Sequence, residues 1–120
     1  MALDMISEAG LTFIEGVPGT PATAGTDLVT ALIEACYGAD ALGALLYTEH
    51  LPPGFFDLSS RVAGETLQRL RNYNVRLAVV VPPGWRGGSS RFAEMAAEER
   101  RGRDFGLFES RDDAVRWLAT

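Results

Sequence analysis

Apolar and polar positions change period several times along the chain. Leu3 to Ser7 and Leu11 to Glu15 alternate in strand fashion around Glu8-Ala9-Gly10, which predicts a hairpin. Gly16 to Gly25 holds Pro18, Pro21 and small residues, and is too long for a tight turn. Thr26 is the expected N-cap of a first helix, with Asp27 where the helix dipole favours an anion. Leu28, Leu32, Ala35 and Cys36 share one face of that helix, and Gly38 is its expected stop. Ala41 to Tyr47 reads as a buried strand. Leu51-Pro52-Pro53-Gly54 cannot start a helix. Ser59 or Ser60 is the expected cap of the next one, in which Val62, Ala63, Leu67 and Leu70 share a face through Asn72. Val75 to Val81 is the strongest strand pattern, stopped by Pro82-Pro83-Gly84. After a glycine-rich loop from Trp85, Ser90 is the expected cap of a helix carrying Phe92, Met95 and Ala96 and ending at Gly102. Phe105 to Phe108 predicts a short strand. Ser110 with Asp113 resembles a capping box for a last helix with Ala114, Val115 and Leu118.

The resulting order, ββαβαβαβα, predicts a small α/β domain spanning residues 1–120. Its sheet should have four or five strands, be mostly parallel and use right-handed crossovers. A sheet with unpaired edges commonly recruits a partner, so a homodimer is expected.

Composition narrows the chemistry. The chain has 120 residues and is 47% apolar, enough for one core. It has a single cysteine, Cys36, and a single histidine, His50. That excludes an intrachain disulfide and any metal site built only from Cys and His of one chain. All eleven basic residues are arginine, so there is neither a Schiff-base lysine nor a P-loop lysine. A net charge of -5 argues against nonspecific nucleic-acid binding. Arg86, Arg91, Arg100, Arg101 and Arg103 form either a local basic patch or a solvated helix face balanced by Glu94, Glu98 and Glu99. The start of the chain lacks a signal-peptide pattern, and no apolar run approaches a membrane span, so a cytoplasmic protein is expected. No nucleophile elbow, Walker motif, dinucleotide fingerprint or metal-spaced cluster is present, and no cofactor is expected.

Phe55-Phe56-Asp57-Leu58, Ala63-Gly64-Glu65, Gln68, Tyr73 and Arg76-Leu77-Ala78-Val79-Val80 resemble the DUF4180 family, as do Ser90, Glu98 and Gly102. The resemblance covers about four-fifths of the chain, and the layout is similar to a STAS domain. Arg61 replaces the glycine usual before Ala-Gly-Glu. Pro82-Pro83 replace Gly-Asp, and Glu98-Glu99-Arg100-Arg101-Gly102 replace Glu-Ser-Asn-x-Gly. The framework is kept while loops and the end of one helix have changed, which suggests a specialised relative.

In length, arginine-rich composition and lack of cofactor motifs the chain is also similar to the lysinoalanine synthases of cinnamycin- and duramycin-type lantibiotic pathways. That resemblance implies a dehydrated peptide as substrate and addition of its lysine amine to a dehydroalanine. It also implies the substrate's own modified aspartate as base. A surface without lysine would offer the electrophile no competing amine. Arginine-for-lysine bias in a GC-rich genome explains the same composition.

Several residues have both a functional and a structural reading. Glu49-His50 stands at the carboxyl end of a strand, as a base or substrate grip, or as an exposed strand end. Phe55-Phe56 is a peptide-binding wall, a dimer contact or, for at least one ring, core. Trp85 suits peptide capture or covers the sheet edge. Glu65 and Gln68 lie one helical turn apart as a polar site or a structural network, with Gly64 expected to permit a close approach. Tyr73 is placed to hydrogen-bond across the sheet. Cys36 is expected in the core. Ser59 and Ser60 are N-caps or, on the STAS likeness, phosphorylation sites.

Overall fold

The computed structural model describes residues 2–20, 27–52 and 54–120. Strand β1 (Leu3–Glu8) turns back into β2 (Leu11–Gly16) through Ala9 and Gly10. Both turn residues have positive φ, 55° and 77°, as a two-residue type I′ hairpin requires. Then follow α1 (Leu28–Ala39), β3 (Gly43–Tyr47), α2 (Val62–Asn72), β4 (Arg76–Val80), α3 (Ser90–Gly102), β5 (Phe105–Phe108) and α4 (Arg111–Leu118). The sheet has five strands in the order β1-β2-β3-β4-β5. Only β1 and β2 pair antiparallel; β2, β3, β4 and β5 are mutually parallel.

This sequential order decides the layering. Three crossovers that each advance one strand in the same direction, with the usual right hand, place their helices on one face. Accordingly Val29, Leu32 and Cys36 of α1, Leu67 and Leu70 of α2, and Phe92 of α3 share one core. Ile14, Ala44, Leu46, Leu77, Val79 and Phe105 form its sheet side. The alternate strand positions Phe13, Leu45, Ala78 and Phe108 face the other way. They pack on Ala114, Val115 and Leu118 of α4, the one helix on that side among the described residues. Period two along each strand thus generates two cores from one sheet.

Strand β3 begins at Gly43, two residues later than expected. A Cβ at Gly43 would come within 2.5 Å of the Arg76 carbonyl oxygen, so this entry into the sheet needs glycine. Arg76 opens the neighbouring strand β4, whose expected start, Val75, is buried but unladdered. Its guanidinium donates to the Arg103, Trp117 and Leu118 carbonyls and lies 4.2 Å over the Trp117 ring. One arginine therefore satisfies helix-end carbonyls of α4 and locks Trp117 in place.

Helix ends differ from expectation in several places. Thr26 lies outside the described residues, and Asp27 itself caps α1 by accepting the Val29 N–H. Helix α1 passes through Gly38 and stops at Asp40, in the left-handed region at φ 53°. Ser59 and Ser60 belong to a short 3-10 turn, Leu58–Ser60, and Arg61, with φ 66°, stands between it and α2; the Ser60 hydroxyl still accepts the N–H of Val62, the first residue of α2, at 3.3 Å. Ser89 rather than Ser90 caps α3. Ser110 caps α4 by accepting the Asp113 N–H at 3.2 Å, while the Asp113 carboxylate turns to Arg116. Only half of the expected capping box is made. At α3, where Ser89 and Ser90 adjoin, the hydroxyl that reaches the Phe92 N–H makes the cap.

Candidate site at the carboxyl ends of the strands

Three parallel strands are followed by the same device. After β2 comes Val17-Pro18-Gly19-Thr20, with Thr20 N–H donating to the Val17 carbonyl and Gly19 at φ 84°. After β4 comes Pro82-Pro83-Gly84-Trp85, with Trp85 N–H donating to Pro82 and Gly84 at φ 75°. After β3, Phe55 N–H donates to the Pro52 carbonyl and Gly54 has φ 83°. Proline then glycine of positive φ is the sequence of a type II turn.

Two of these turns are held by glutamates from the next parallel strand. Glu49, two residues past β3, accepts the Gly19 N–H at 2.9 Å. Glu109, one residue past β5, accepts the Gly84 N–H at 2.8 Å. Both glutamates are exposed and line one cleft of about 280 Å³. Its other walls include Tyr47, the Val80–Pro83 segment and Arg111. The cleft lies at the carboxyl ends of the strands, the end at which open α/β sheets bind ligands, although this strand order has no switch point.

Beneath the cleft, on the α4 face, Glu15 is buried in an ion-pair cluster. Arg111 grips it with both arms, Nε to Oε2 at 2.9 Å and Nη2 to Oε1 at 3.0 Å, and reaches Glu8 at 2.9 Å. The Tyr47 hydroxyl donates to Glu15 at 2.6 Å. Burial alone would raise the Glu15 pKa. The hydrogen bonds from Arg111 and Tyr47, with the Arg111 charge, outweigh it and hold the carboxyl below its usual value. Burial and the Glu15 charge push the Tyr47 phenol up to about 12, so it stays a donor at neutral pH. Glu15 and then Glu8 raise Arg111 above its ordinary value. The cluster ties the hairpin to α4, and its charges answer one another.

The sequence-predicted site residues scatter. Glu49 lines the cleft, but its neighbour His50 is 0% exposed. His50 Nδ1 accepts the Tyr47 N–H at 3.0 Å, which assigns the proton to Nε2, 3.0 Å from the Val17 carbonyl. Both ring nitrogens are committed to backbone. Phe55 is buried in the main core, while Phe56 is half-buried against Trp85, ring centroids 4.7 Å apart. Gly87 lies under that indole, and a Cβ there would meet it at 2.6 Å. The loop glycines therefore seat Trp85 on Phe56. Glu65 and Gln68 are exposed on α2, and Gln68 donates to Asn72. Gly64, expected to admit a neighbour, faces open space. Tyr73 closes α2 with an exposed ring, and its carbonyl accepts the Tyr37 hydroxyl instead of a bond across the sheet. Cys36 is buried, and burial pushes its thiol up to about 11, far from a reactive thiolate.

Sequence reasoning missed Glu15, Tyr47, Glu109 and Arg111. Glu109 had a legible signal, since it follows β5 directly, as Glu49 stands two residues past β3. Among the described residues no three His, Cys, Asp or Glu side chains converge to hold a metal ion. No helix among them is long and apolar enough to cross a membrane.

Neither curated proteins nor solved structures gave a significant match. The family model of a domain of unknown function, DUF4180, matches residues 16–118, which takes in both pinned turns and the whole cleft. The chain belongs to the DUF4180 family.

Proposed function

We propose that the cleft at the carboxyl ends of β3, β4 and β5 is a ligand site, and that it takes a primary amine on an apolar stem, as a peptide lysine presents. The pair Glu49 and Glu109 carries this reading. Each gives one oxygen to a turn N–H, and among the described residues the other oxygen accepts nothing. Arg111, the cation lining the cleft, is engaged by Glu8 and Glu15. Val80, Val81 and the two prolines suit a methylene chain. An ammonium 4 Å from one carboxylate gains about 4 kcal/mol at an effective dielectric near 20, before desolvation is counted.

The same field limits the chemistry. A lysine amine already costs about 4.6 kcal/mol to deprotonate at pH 7, and a nearby carboxylate stabilises the charged form further. The cleft therefore favours holding an amine over activating it. On this balance the chain is first a binding module for a peptide or small ligand. A STAS-like serine switch fits less well. Ser59 donates to the Asp57 carboxylate, and Ser60 to the Gly54 and Asp57 carbonyls. A phosphate there would break these bonds and meet the Asp57 charge.

The second reading is lysinoalanine formation. The lysine-free sequence favours it, because no side-chain amine of the protein competes for dehydroalanine. Preorganisation of amine and alkene supplies on the order of 7–11 kcal/mol in ideal cases, more than the deprotonation cost. The amine nitrogen would bond to the alkene Cβ, and the π pair would take a proton at Cα. The nitrogen's surplus proton would pass to a carboxylate of the substrate, and the product would be an isomer of the starting peptide.

One experiment separates these readings. A peptide carrying both lysine and dehydroalanine is incubated with the protein beside its norleucine analogue. Tighter binding of the lysine peptide with unchanged thiol uptake by the alkene supports the module. Lost thiol uptake at unchanged mass supports the enzyme. Equal binding of the two peptides, with thiol uptake unchanged, overturns both.

A further inference from the structure

We propose a second binding site, at the amino ends of the parallel strands, for a bulky organic cation of the quaternary ammonium class. It is a groove of about 630 Å³, where α1 and α2 end and the chain turns into β3 and β4. That volume is ordinary for a small-molecule site. Tyr37, Asp40, Leu42, Tyr73 and Asn74 are among its walls.

Two exposed tyrosines make a corner. Tyr37 is 62% and Tyr73 49% exposed, with ring centroids 6.2 Å apart and planes at 66°. The Tyr37 hydroxyl donates to the Tyr73 carbonyl at 3.1 Å, so the corner is ordered without a ligand. Among the described residues, three of the four exposed large hydrophobic side chains border this groove, Leu42 being the third. The carboxyl-end cleft has none of them, so the apolar exposure is concentrated here.

The sign of the ligand follows from three sources that agree. Tyrosine faces attract cations within about 6 Å. Two helix C-termini converge on the groove, each equivalent to about half a negative charge. Helix α1 has no basic residue in its last turn. The last-turn arginines of α2 are turned elsewhere, Arg69 to Asp27 and Arg71 to Glu99 and Asp104. Asp40 adds an exposed carboxylate, on a backbone whose N–H donates to the Cys36 and Tyr37 carbonyls.

The rings select among cations. A primary ammonium is strongly hydrated and wants several acceptors at close range. A quaternary ammonium carries diffuse charge on an apolar surface, which suits tyrosine faces beside a leucine.

The probe is choline, with 3,3-dimethylbutan-1-ol as neutral isostere, each titrated into the full chain and followed by amide NMR. Choline is expected to shift residues 37–42 and 73–74 saturably and to bind roughly tenfold tighter than the isostere. Asp40→Asn and Tyr73→Ala should each weaken choline several-fold, while Tyr73→Phe should keep its affinity. Asp40→Asn guards against a Tyr73→Ala variant that fails to fold. The proposal is overturned if choline leaves these amides unmoved, if the isostere binds equally, or if Asp40→Asn binds as the parent does. The cleft lies at the other end of the strands, so failure here leaves the amine reading standing.

Discussion

Glu109 holds the Gly84 N–H at 2.8 Å, and through it the turn that presents Trp85. The carboxylate that lines the cleft is therefore also the one that fixes the neighbouring loop. Replacing it with alanine should cost about 1 kcal/mol, since the bond is charge-assisted but exposed. In a Trp117→Phe background, Glu109→Ala should also change the Trp85 emission. Glu109→Gln, which keeps an acceptor oxygen, should change it less. Identical emission from all three proteins would show that the bond does not order the loop.

His50 should prove structural. His50→Ala leaves the Tyr47 N–H and the Val17 carbonyl without their partner in a buried place. Each unsatisfied group costs about 1–3 kcal/mol, so a loss of about 3 kcal/mol is expected in urea unfolding. A loss under about 1 kcal/mol would mean that water replaces the ring, contrary to the burial described.

Acid should weaken the fold through Glu15. Its folded pKa lies below the ordinary carboxylate value, so its stabilisation is complete above the unfolded pKa and disappears as pH falls through the folded one. Asp27, held to about 2 chiefly by its Arg69 hydrogen bond, acts in the same direction. That pair is half-exposed, so its share is small. Stability measured from pH 7 to pH 3 should fall, and Glu15→Gln should flatten the fall while lowering the plateau. A parallel, undiminished acid limb in Glu15→Gln would assign the acid sensitivity elsewhere.

Cys36 should be chemically silent in the native protein. It is 1% exposed, and burial holds its thiol near 11. A maleimide reagent should label it only through unfolding, so labelling should follow the denaturant transition. Rapid native labelling would place the thiol at the surface.

The fold was largely readable because both cores follow simple periods. Phe13 and Ile14 announce opposite sheet faces by adjacency alone, and Ala9-Gly10 specifies its turn. Gly43 was harder, since its reason is the Arg76 backbone, a neighbour 33 residues away. The cleft was half legible. Glu49 shows itself by its place at a strand end. Its role depends on Gly19, and that of Glu109 on Gly84, pairings that only the parallel register creates. Glu15 and Arg111 lie 96 positions apart, beyond any local pattern. His50 misled for the opposite reason. A lone histidine at a strand end looks reactive until both ring nitrogens are traced to backbone.

The amine-binding cleft is tested most directly at its two glycine amides. Nα-acetyl-lysine N-methylamide is titrated into the isotopically labelled protein beside its norleucine counterpart. Gly19 and Gly84, whose N–H groups rest on Glu49 and Glu109, should shift together and saturate with lysine only. The Glu49→Gln, Glu109→Gln double variant should lose roughly tenfold or more in affinity. Unmoved glycine amides, or equal shifts with norleucine, would contradict an amine site at this end of the sheet.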